Sequence, residues 1–537
     1  MTDADLLTLA PDLEWMRHPP STVQDGGSGN FEPFGDEWIE RPAIERMDEM
    51  VRRRGEAIAL DDGVTRISYN ALKRAVDDFA ARLDEAAPPD RPVAAIVHMT
   101  ASYPIIMMAA VAIGRTIVFV DASYPPEAQK AVIAAISPGA ILLTADRKAD
   151  DSIAPAGIPR LVLDLAATGN RTRPPYRPAD LMRIGFTSGT TGRPKGLAVN
   201  EAAAISSLAG WINRLHVTDA DTVLSIGSPS VIGWGDALLA IMTGARVRLV
   251  DIRALGLPEA FRQLKEDRVT ILNFVPSALR NFFRVPGARD AFHAMRVLNL
   301  FGESTLRSDL DLFRANLPAS CTISVQLAST EALGVFQWFV DESKVDGAVV
   351  PVGYVMPHKE VALVGEDGRN VPVGEVGRIV VRSRFMAAGS WVDGRLQPPP
   401  SYPDPERPGW RIFQSGDFAR LRPDGLAEFA GRNDQQVKIR GLRADLGIVE
   451  AAMRGQAGIA DAATVLLSPE AKLIGFVATM PQVPAAVVQG ARASLAKVLP
   501  DYMVPSQIHI LDAIPRLPNH KPDLKRLAEL ARATPTT

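Results

Sequence analysis

Thr187-Ser188-Gly189-Thr190-Thr191-Gly192-Arg193-Pro194-Lys195-Gly196 is the stretch on which the reading of this chain turns. Its ten residues bring four hydroxyls, three glycines, an arginine and a lysine between the apolar segment 181–186 and the strand-like Leu197-Ala198-Val199. Glycines let backbone N–H groups approach phosphate oxygens closely, hydroxyls add further donors, and Lys195 supplies a point charge. The combination reads as a cradle for a polyphosphate. It is not a P-loop, which needs a lysine followed by Ser or Thr at a helix start, because Lys195 follows Pro194 and precedes Gly196. By itself such a string is also the composition of a solvated linker, so its neighbours must decide.

The chain around it is long enough, at 537 residues, for more than one domain and sizeable cores. Hydrophobic residues at 47% and charged residues at 23% are those of an ordinary globular protein. A net charge of -3 gives no basic field for nucleic acid or acidic membranes. Cys321 is the only cysteine, which excludes an internal disulfide framework and a cysteine zinc site, and a reducing cytoplasm fits. The N-terminus MTDADLLTLAPDLEW begins acidic, without a basic-then-apolar signal pattern. The most apolar region, 93–120, is interrupted by His98, Pro104 and Arg115, so no membrane span is expected.

Residues 1–36, with PP and GGSGN, read as a partly disordered leader. From 43 to 274, helical patterns such as Ala43–Arg54 and the Leu72, Val76, Phe79, Leu83 face after Ser68 alternate with strands such as Val93–His98, Ala140–Thr144 and Ile271–Phe274. That alternation implies parallel pairing in an α/β layer arrangement. Beyond Gly347 the texture becomes short β segments separated by DGR, VGEVG and PDG turns, and the prolines of 398–408 read as an extended excursion. From Gln435 a smaller unit of alternating strands and helices begins, including a helix expected over Val483–Leu499.

Together with the loop, FVDASYP at Phe119, GEVGRIVV at Gly374, SGDFARL at Ser415, GRNDQQVKIRGLRADLGIVE at Gly431 and LPDYMVP at Leu499 make the chain resemble the adenylate-forming superfamily. It most closely resembles the adenylation domains of nonribosomal peptide synthetases. The resemblance implies an α/β fold: a large multi-layer N-terminal domain with a β-rich subdomain (37–432), a hinge (433–434) and a small mobile C-terminal α+β domain (435–537). It also implies that a carboxylic or amino acid attacks ATP to give an acyl-adenylate and pyrophosphate, and that the acyl group then passes to a carrier-protein phosphopantetheine or to CoA.

Residue by residue, the resemblance implies that Thr187, Ser188, Gly189, Thr190, Thr191, Gly192 and Lys195 hold the β and γ phosphates. Thr330 and Glu331 match a TE pair meeting the α-phosphate and Mg2+, a hard cation suited to oxygen ligands. Asp417 matches the acid on the ribose hydroxyls and Arg432 a nearby ribose or phosphate contact. Gly302 matches a turn beside adenine. Lys521, in LPNHK, matches a catalytic lysine brought in by the small domain, where an ammonium can bridge carboxylate and α-phosphate. Asp434 matches the hinge.

Two departures qualify the resemblance. The usual YGPTE stands here as Leu327-Ala328-Ser329-Thr330-Glu331, without the aromatic that would stack on adenine. Amino-acid-activating relatives place an aspartate where counting back from Thr243-Gly244 puts Val231; without it an α-ammonium would be buried unpaired, unless Asp236 takes that part. An acid lacking an α-amino group, or one whose amine is elsewhere, is therefore expected. Ungapped matching adds Ile232, Gly235, Asn273, Asn299, Phe301, Gln326, Gly334 and Val335 to the acyl pocket, whose three amides point to a polar substrate. Two other readings stand beside this one: an acyl-CoA synthetase, and a non-catalytic nucleotide-binding or scaffold protein, which would explain LASTE but leaves Lys195, Glu331, Asp417 and Lys521 unmotivated.

Overall fold

The structure is a computed structural model. It describes residues 7–19, 31–124, 126–145, 153, 155, 157–187, 195–392, 394–432, 436–439, 442–467, 472–480, 491–496, 499, 503–517 and 522–533. Within these, the side chains of Thr187, Lys195, Arg432, 436–439, 442–445, Ile448 and Ala491 lie outside the description.

Among the described residues, two large sheets carry the α/β body, an eight-stranded one and a nine-stranded one. In the first, Val93–Val97 lies between Ile117–Asp121 and Ala140–Thr144 in parallel, and Arg183–Thr187 joins the far side of Ile117–Asp121. All five residues of Val93–Val97 are buried, and they split by parity. Val93, Ala95 and Val97 enter one core with Tyr69, Leu72 and Phe79, while Ala94 and Ile96 enter another with Ile133 and Ile136. A strand covered on both faces has no reason to alternate in polarity, which explains its continuous apolar sequence.

The central core holds the helices Tyr69–Ala86, Ser102–Ala112, Glu201–Leu215 and Trp234–Thr243 together with inward residues of both large sheets. Two of these helices start on a capping side chain. Ser68 Oγ accepts from the Ala71 N–H at 3.3 Å and Asn200 Oδ1 from the Ala203 N–H at 2.8 Å, satisfying orphan donors at the first turn. Leu72, Val76, Phe79 and Leu83 are fully buried, as their spacing predicts.

In the nine-stranded sheet, Thr222–Ser225, Ile271–Phe274, Val297–Phe301 and Thr322–Ser329 run parallel, and Leu333–Phe339 returns antiparallel. A six-stranded antiparallel sheet contains Glu360–Val364, Val376–Ser383 and Arg411–Leu421. Met16–Arg17 adds to its edge, Leu7, Leu9, Leu13 and Trp15 pack on it, and the Gln414 amide bonds the backbone of Leu7 at 2.8 and 2.7 Å. The excursion 398–408 includes a short strand, Tyr402–Pro403, paired with Arg411–Ile412, so it is partly regular where an irregular path was expected. A three-stranded sheet of Ile459–Leu467, Lys472–Thr479 and Gln507–Leu511 carries the helices Leu446–Arg454 and Leu524–Ala533. Of the helix expected over Val483–Leu499, Ala491–Leu495 is helical and residues 483–490 lie outside the described residues. No described helix is long and apolar enough to cross a membrane.

Candidate active site

The loop is closed as a hairpin. Arg183–Thr187 and Lys195–Val199 pair antiparallel with Thr187 opposite Lys195, so the two ends of the polar string are held side by side. Ser188, Gly189, Thr190, Thr191 and Gly192 lie outside the described residues, and Thr187 and Lys195 are placed by backbone alone.

Thr330 and Glu331 occupy the turn between Thr322–Ser329 and Leu333–Phe339. The Thr330 hydroxyl donates to Glu331 Oε2 at 3.0 Å, and Ser329 Oγ accepts from the Ala332 N–H at 3.0 Å, tightening the turn. Leu333 adopts φ +62°, a left-handed conformation costly for a branched apolar residue and held here by the strand that follows. Two consecutive amides then join this turn to the loop: the Ala387 N–H donates to the Glu331 carbonyl at 2.9 Å and the Ala388 N–H to the Ala198 carbonyl at 2.8 Å. The Glu331 turn and the strand leaving the loop thus lie on either side of one tether.

Asp417 is buried on Arg411–Leu421, its Oδ2 accepting from the Ser415 hydroxyl and its N–H donating to Ser415 Oγ, both at 3.0 Å. Phe413 and Ala419 of the same strand pack with Ala332, Val335 and Met386, which brings this strand against the Glu331 turn. Arg432 is the register partner of Asp417 on the adjacent strand. Gly302 turns with φ +87°, and Glu303, for which no role was expected, accepts from the Ser277 N–H and so caps the helix Pro276–Phe282. Asp434 and Lys521 lie outside the described residues.

Asn273, Asn299, Phe301 and Gln326 lie toward the carboxyl ends of parallel strands of the nine-stranded sheet, where open α/β sheets bind ligands; Val231, Ile232 and Gly235 stand on the turn Pro229–Gly233 and the helix after it, and Val335 packs with Ala332, Phe336 and Met386. Asn273 pairs in register with Asn299, and Phe301 with Gln326. Asp236 Oδ1 accepts from Asn273 Nδ2 at 2.9 Å and Asn273 Oδ1 from Asn299 Nδ2 at 3.2 Å. Burial pushes the Asp236 carboxyl up to about 7, and the Asn273 amide and Ser225 hydroxyl offset part of that rise. Val231 is 47% exposed on the turn Pro229–Gly233, whereas Asp236 is 1% exposed, so the two are not interchangeable. Ile232 is half-buried beside Gly227, and Gly235 faces Leu208. Gly334 is close-packed: a Cβ there would stand 2.5 Å from Gln326 Nε2 and 2.6 Å from Met356 Sδ. Trp211, 6.2 Å from the Phe301 ring, and Met356 border this pocket and were missed from the sequence. Trp211 lies in an apolar helix that reads as core, and Met356 follows an edge strand with no motif around it.

A family model described as AMP-binding enzyme matches residues 47–391, well over half of the chain. The chain belongs to the AMP-binding enzyme family. The match includes the loop, Gly302 and Glu331, and ends before Asp417, Arg432, Asp434 and Lys521. Tyrocidine synthase 3 of Brevibacillus parabrevis is 27% identical over 493 residues, 89% of this chain but 8% of that protein. The chain thus spans a small part of that curated relative. Novobiocin biosynthesis protein H of Streptomyces niveus is 27% identical over 518 residues, 91% of this chain and 83% of that protein. Klebsiella oxytoca NpsA, solved with 3-hydroxyanthranilyl-AMSN, superimposes with a TM-score of 0.75 at 20% identity, covering 92% of this chain and 99% of that one, and shows the shared fold. This AMP-binding enzyme is an adenylate-forming ligase with homologues among peptide-synthetase adenylation domains.

Proposed function

We propose that this AMP-binding enzyme activates a carboxylic acid without an α-amino group and passes it as a thioester to the phosphopantetheine of a carrier protein. The tether of Ala387 and Ala388 between the Glu331 turn and the loop strand is the observation that carries the first half of this reading, because phosphate cradle and acid must meet around one nucleotide. The exposed Val231, in place of an anion, supports an acid without an α-ammonium.

In this reading Thr187, Ser188, Gly189, Thr190, Thr191, Gly192 and Lys195 hold the β and γ phosphates, Gly302 shapes the adenine turn, and Asp417 takes the ribose hydroxyls with Arg432 nearby. Glu331 and Thr330 offer hard oxygen donors on one turn, and no cluster of three or more His, Cys, Asp or Glu side chains exists among the described residues. That donor set fits Mg2+, which is held by one or two carboxylates together with phosphate oxygens. When bound, Mg2+ neutralises phosphate charge. Lys521 holds the acyl carboxylate against the α-phosphate by lowering repulsion between the two anions. The acyl pocket is formed by Val231, Ile232, Gly235, Asn273, Asn299, Phe301, Gln326, Gly334 and Val335. Residues 37–432 form the large domain, and 435–537 the lid that turns about Asp434 to admit the thiol. A reducing cytoplasm is the proposed compartment.

Lys521→Ala should lower ATP–pyrophosphate exchange by roughly 100-fold or more. Near-normal exchange would remove Lys521 from the chemistry. Transfer to a phosphopantetheinylated carrier but not to free CoA separates this reading from a CoA ligase; efficient transfer to CoA alone would favour the latter.

A further inference from the structure

A line of buried amides crosses the sheet and runs in one direction. Gln337 Nε2 donates to Ser324 Oγ at 2.9 Å and to Asn299 Oδ1 at 3.5 Å; Asn299 donates to Asn273, and Asn273 to Asp236. The line ends on a carboxylate whose Oδ1 is taken by Asn273; the Ser225 hydroxyl stands near the carboxyl, but no donor lies within hydrogen-bond geometry of Asp236 Oδ2 among the described residues. Two more acceptors on this wall are unmatched, Gln337 Oε1 and Gln326 Oε1. The nitrogen of Gln326 meets only the Met356 thioether, at 3.3 Å.

Asp236, Gln326 and Gln337 are 1%, 3% and 0% exposed, so bulk water does not satisfy them. An unmatched buried acceptor is destabilising, and Asp236 Oδ2, at the terminal carboxylate of the line, is the one whose missing donor a bound molecule can supply. Space lies beside Gly235, the residue before Asp236 in the helix. A Cβ added to Gly235 would meet nothing nearer than Leu208 Cδ2 at 4.0 Å, and the aromatic rings of Trp211 and Phe301 stand on the same face. The Trp211 indole N–H is also buried and unmatched, so a group that both donates and accepts satisfies either side.

We propose that the activated acid carries a hydroxyl or amino group on its apolar body, remote from the carboxylate, and that Asp236 Oδ2 receives the hydrogen of that group. This rests on the reading of the enzyme as an acid-activating ligase. Asp236 then acts as a specificity residue. A site built to bond a donor rejects the analogue lacking it, because its own acceptor is left bare.

The test is ATP–pyrophosphate exchange over matched acids: benzoate, its hydroxy, amino and methoxy derivatives at each ring position, pentanoate with its hydroxy and amino derivatives, and α-amino acids. The expected result is a kcat/KM about 10- to 100-fold higher for a hydroxy or amino acid than for its unsubstituted parent. Asp236→Asn keeps the volume and can still accept from Asn273, but presents a donor where Oδ2 stood; it should lose that preference and turn toward the methoxy acid. Circular dichroism and AMP binding establish that the variant is folded. Equal exchange of substituted and parent acids by the wild type, or an unchanged preference in Asp236→Asn, would overturn the role of Asp236 while leaving the ligase reading intact. Exchange with α-amino acids alone would overturn the remote donor. A folded, AMP-binding protein that exchanges with no acid would overturn the ligase reading, and this inference with it.

Discussion

Replacing Lys359 by methionine should change the pH dependence of stability in a direction the structure dictates. Lys359 is 7% exposed beside the edge of the six-stranded sheet, its ammonium donating to Ser383 Oγ at 3.2 Å and to the Phe385 carbonyl. No carboxylate pairs with it among the described contacts. Burial therefore lowers its pKa from 10.5 to about 7. Below pH 7 the folded protein keeps a desolvated charge; between pH 7 and 10.5 the folded state is neutral while the unfolded state still binds the proton, so stability rises with pH across that window. The full difference amounts to roughly 5 kcal/mol, at about 1.4 kcal/mol per pH unit. Methionine has similar length and does not titrate. Its lost bonds to Ser383 and Phe385 offset the two stability curves by a near-constant amount, so the slope carries the titration. Urea unfolding followed by tryptophan fluorescence should show the stability of Lys359→Met minus that of the wild type shrinking by about 3 kcal/mol between pH 6 and pH 9. A difference that stays constant within about 0.5 kcal/mol would refute a buried, depressed lysine.

Two further substitutions test packing around the site. Arg280 meets Asp309 at 2.6 and 3.2 Å, both side chains under 10% exposed, and Asp309 Oδ2 also accepts from the Leu306 N–H at 2.8 Å. Asp309→Ala leaves a buried guanidinium unpaired and should cost about 3–5 kcal/mol in urea unfolding, against under about 1 kcal/mol if the pair is solvated. Gly334→Ala drives a methyl into Gln326 and Met356, which should cost about 1–3 kcal/mol and raise the KM for the acid more than the KM for ATP. Equal changes in both KM values would place Gly334 outside the acyl pocket.

Many elements of the fold are legible in the sequence directly. Helix Ala43–Arg54 and strands Ala140–Thr144, Ile271–Phe274 and Glu360–Val364 begin and end where their patterns place them, because each buries a face whose period is visible in one dimension. Between Phe274 and Gly347 that visibility fails. Val297–Phe301 and Thr322–Ser329 are central strands, yet Asn299, Ser324 and Gln326 interrupt their apolar runs. Asn299 and Ser324 belong to the buried amide line and Gln326 lies beside it against Met356, so their partners lie outside their own strands and cannot be read from any one of them. The N-terminal segment shows the same limit: Leu7, Leu9 and Trp15 carry too little periodicity to predict an element, and they are ordered by the sheet face they cover.

What the sequence offered unaided is the chemistry that residue types encode, a string from Thr187 to Gly196 suited to a polyphosphate, and after it motifs whose order resembles that of the adenylate-forming superfamily. Hydroxyl, glycine and lysine side chains have these capacities wherever they sit. What only the tertiary structure decided is which of them meet. The tether at Ala387 and Ala388 joins a loop and a turn more than 130 residues apart, and the chain of amides leaves Asp236 Oδ2 buried without a partner in hydrogen-bond geometry while Val231 stays exposed. The reason is that hydrogen-bond satisfaction is a property of neighbours in space. In the proposed function the Thr187–Gly196 string holds ATP, and the wall of Asp236, Asn273, Asn299 and Gln326 selects the acid.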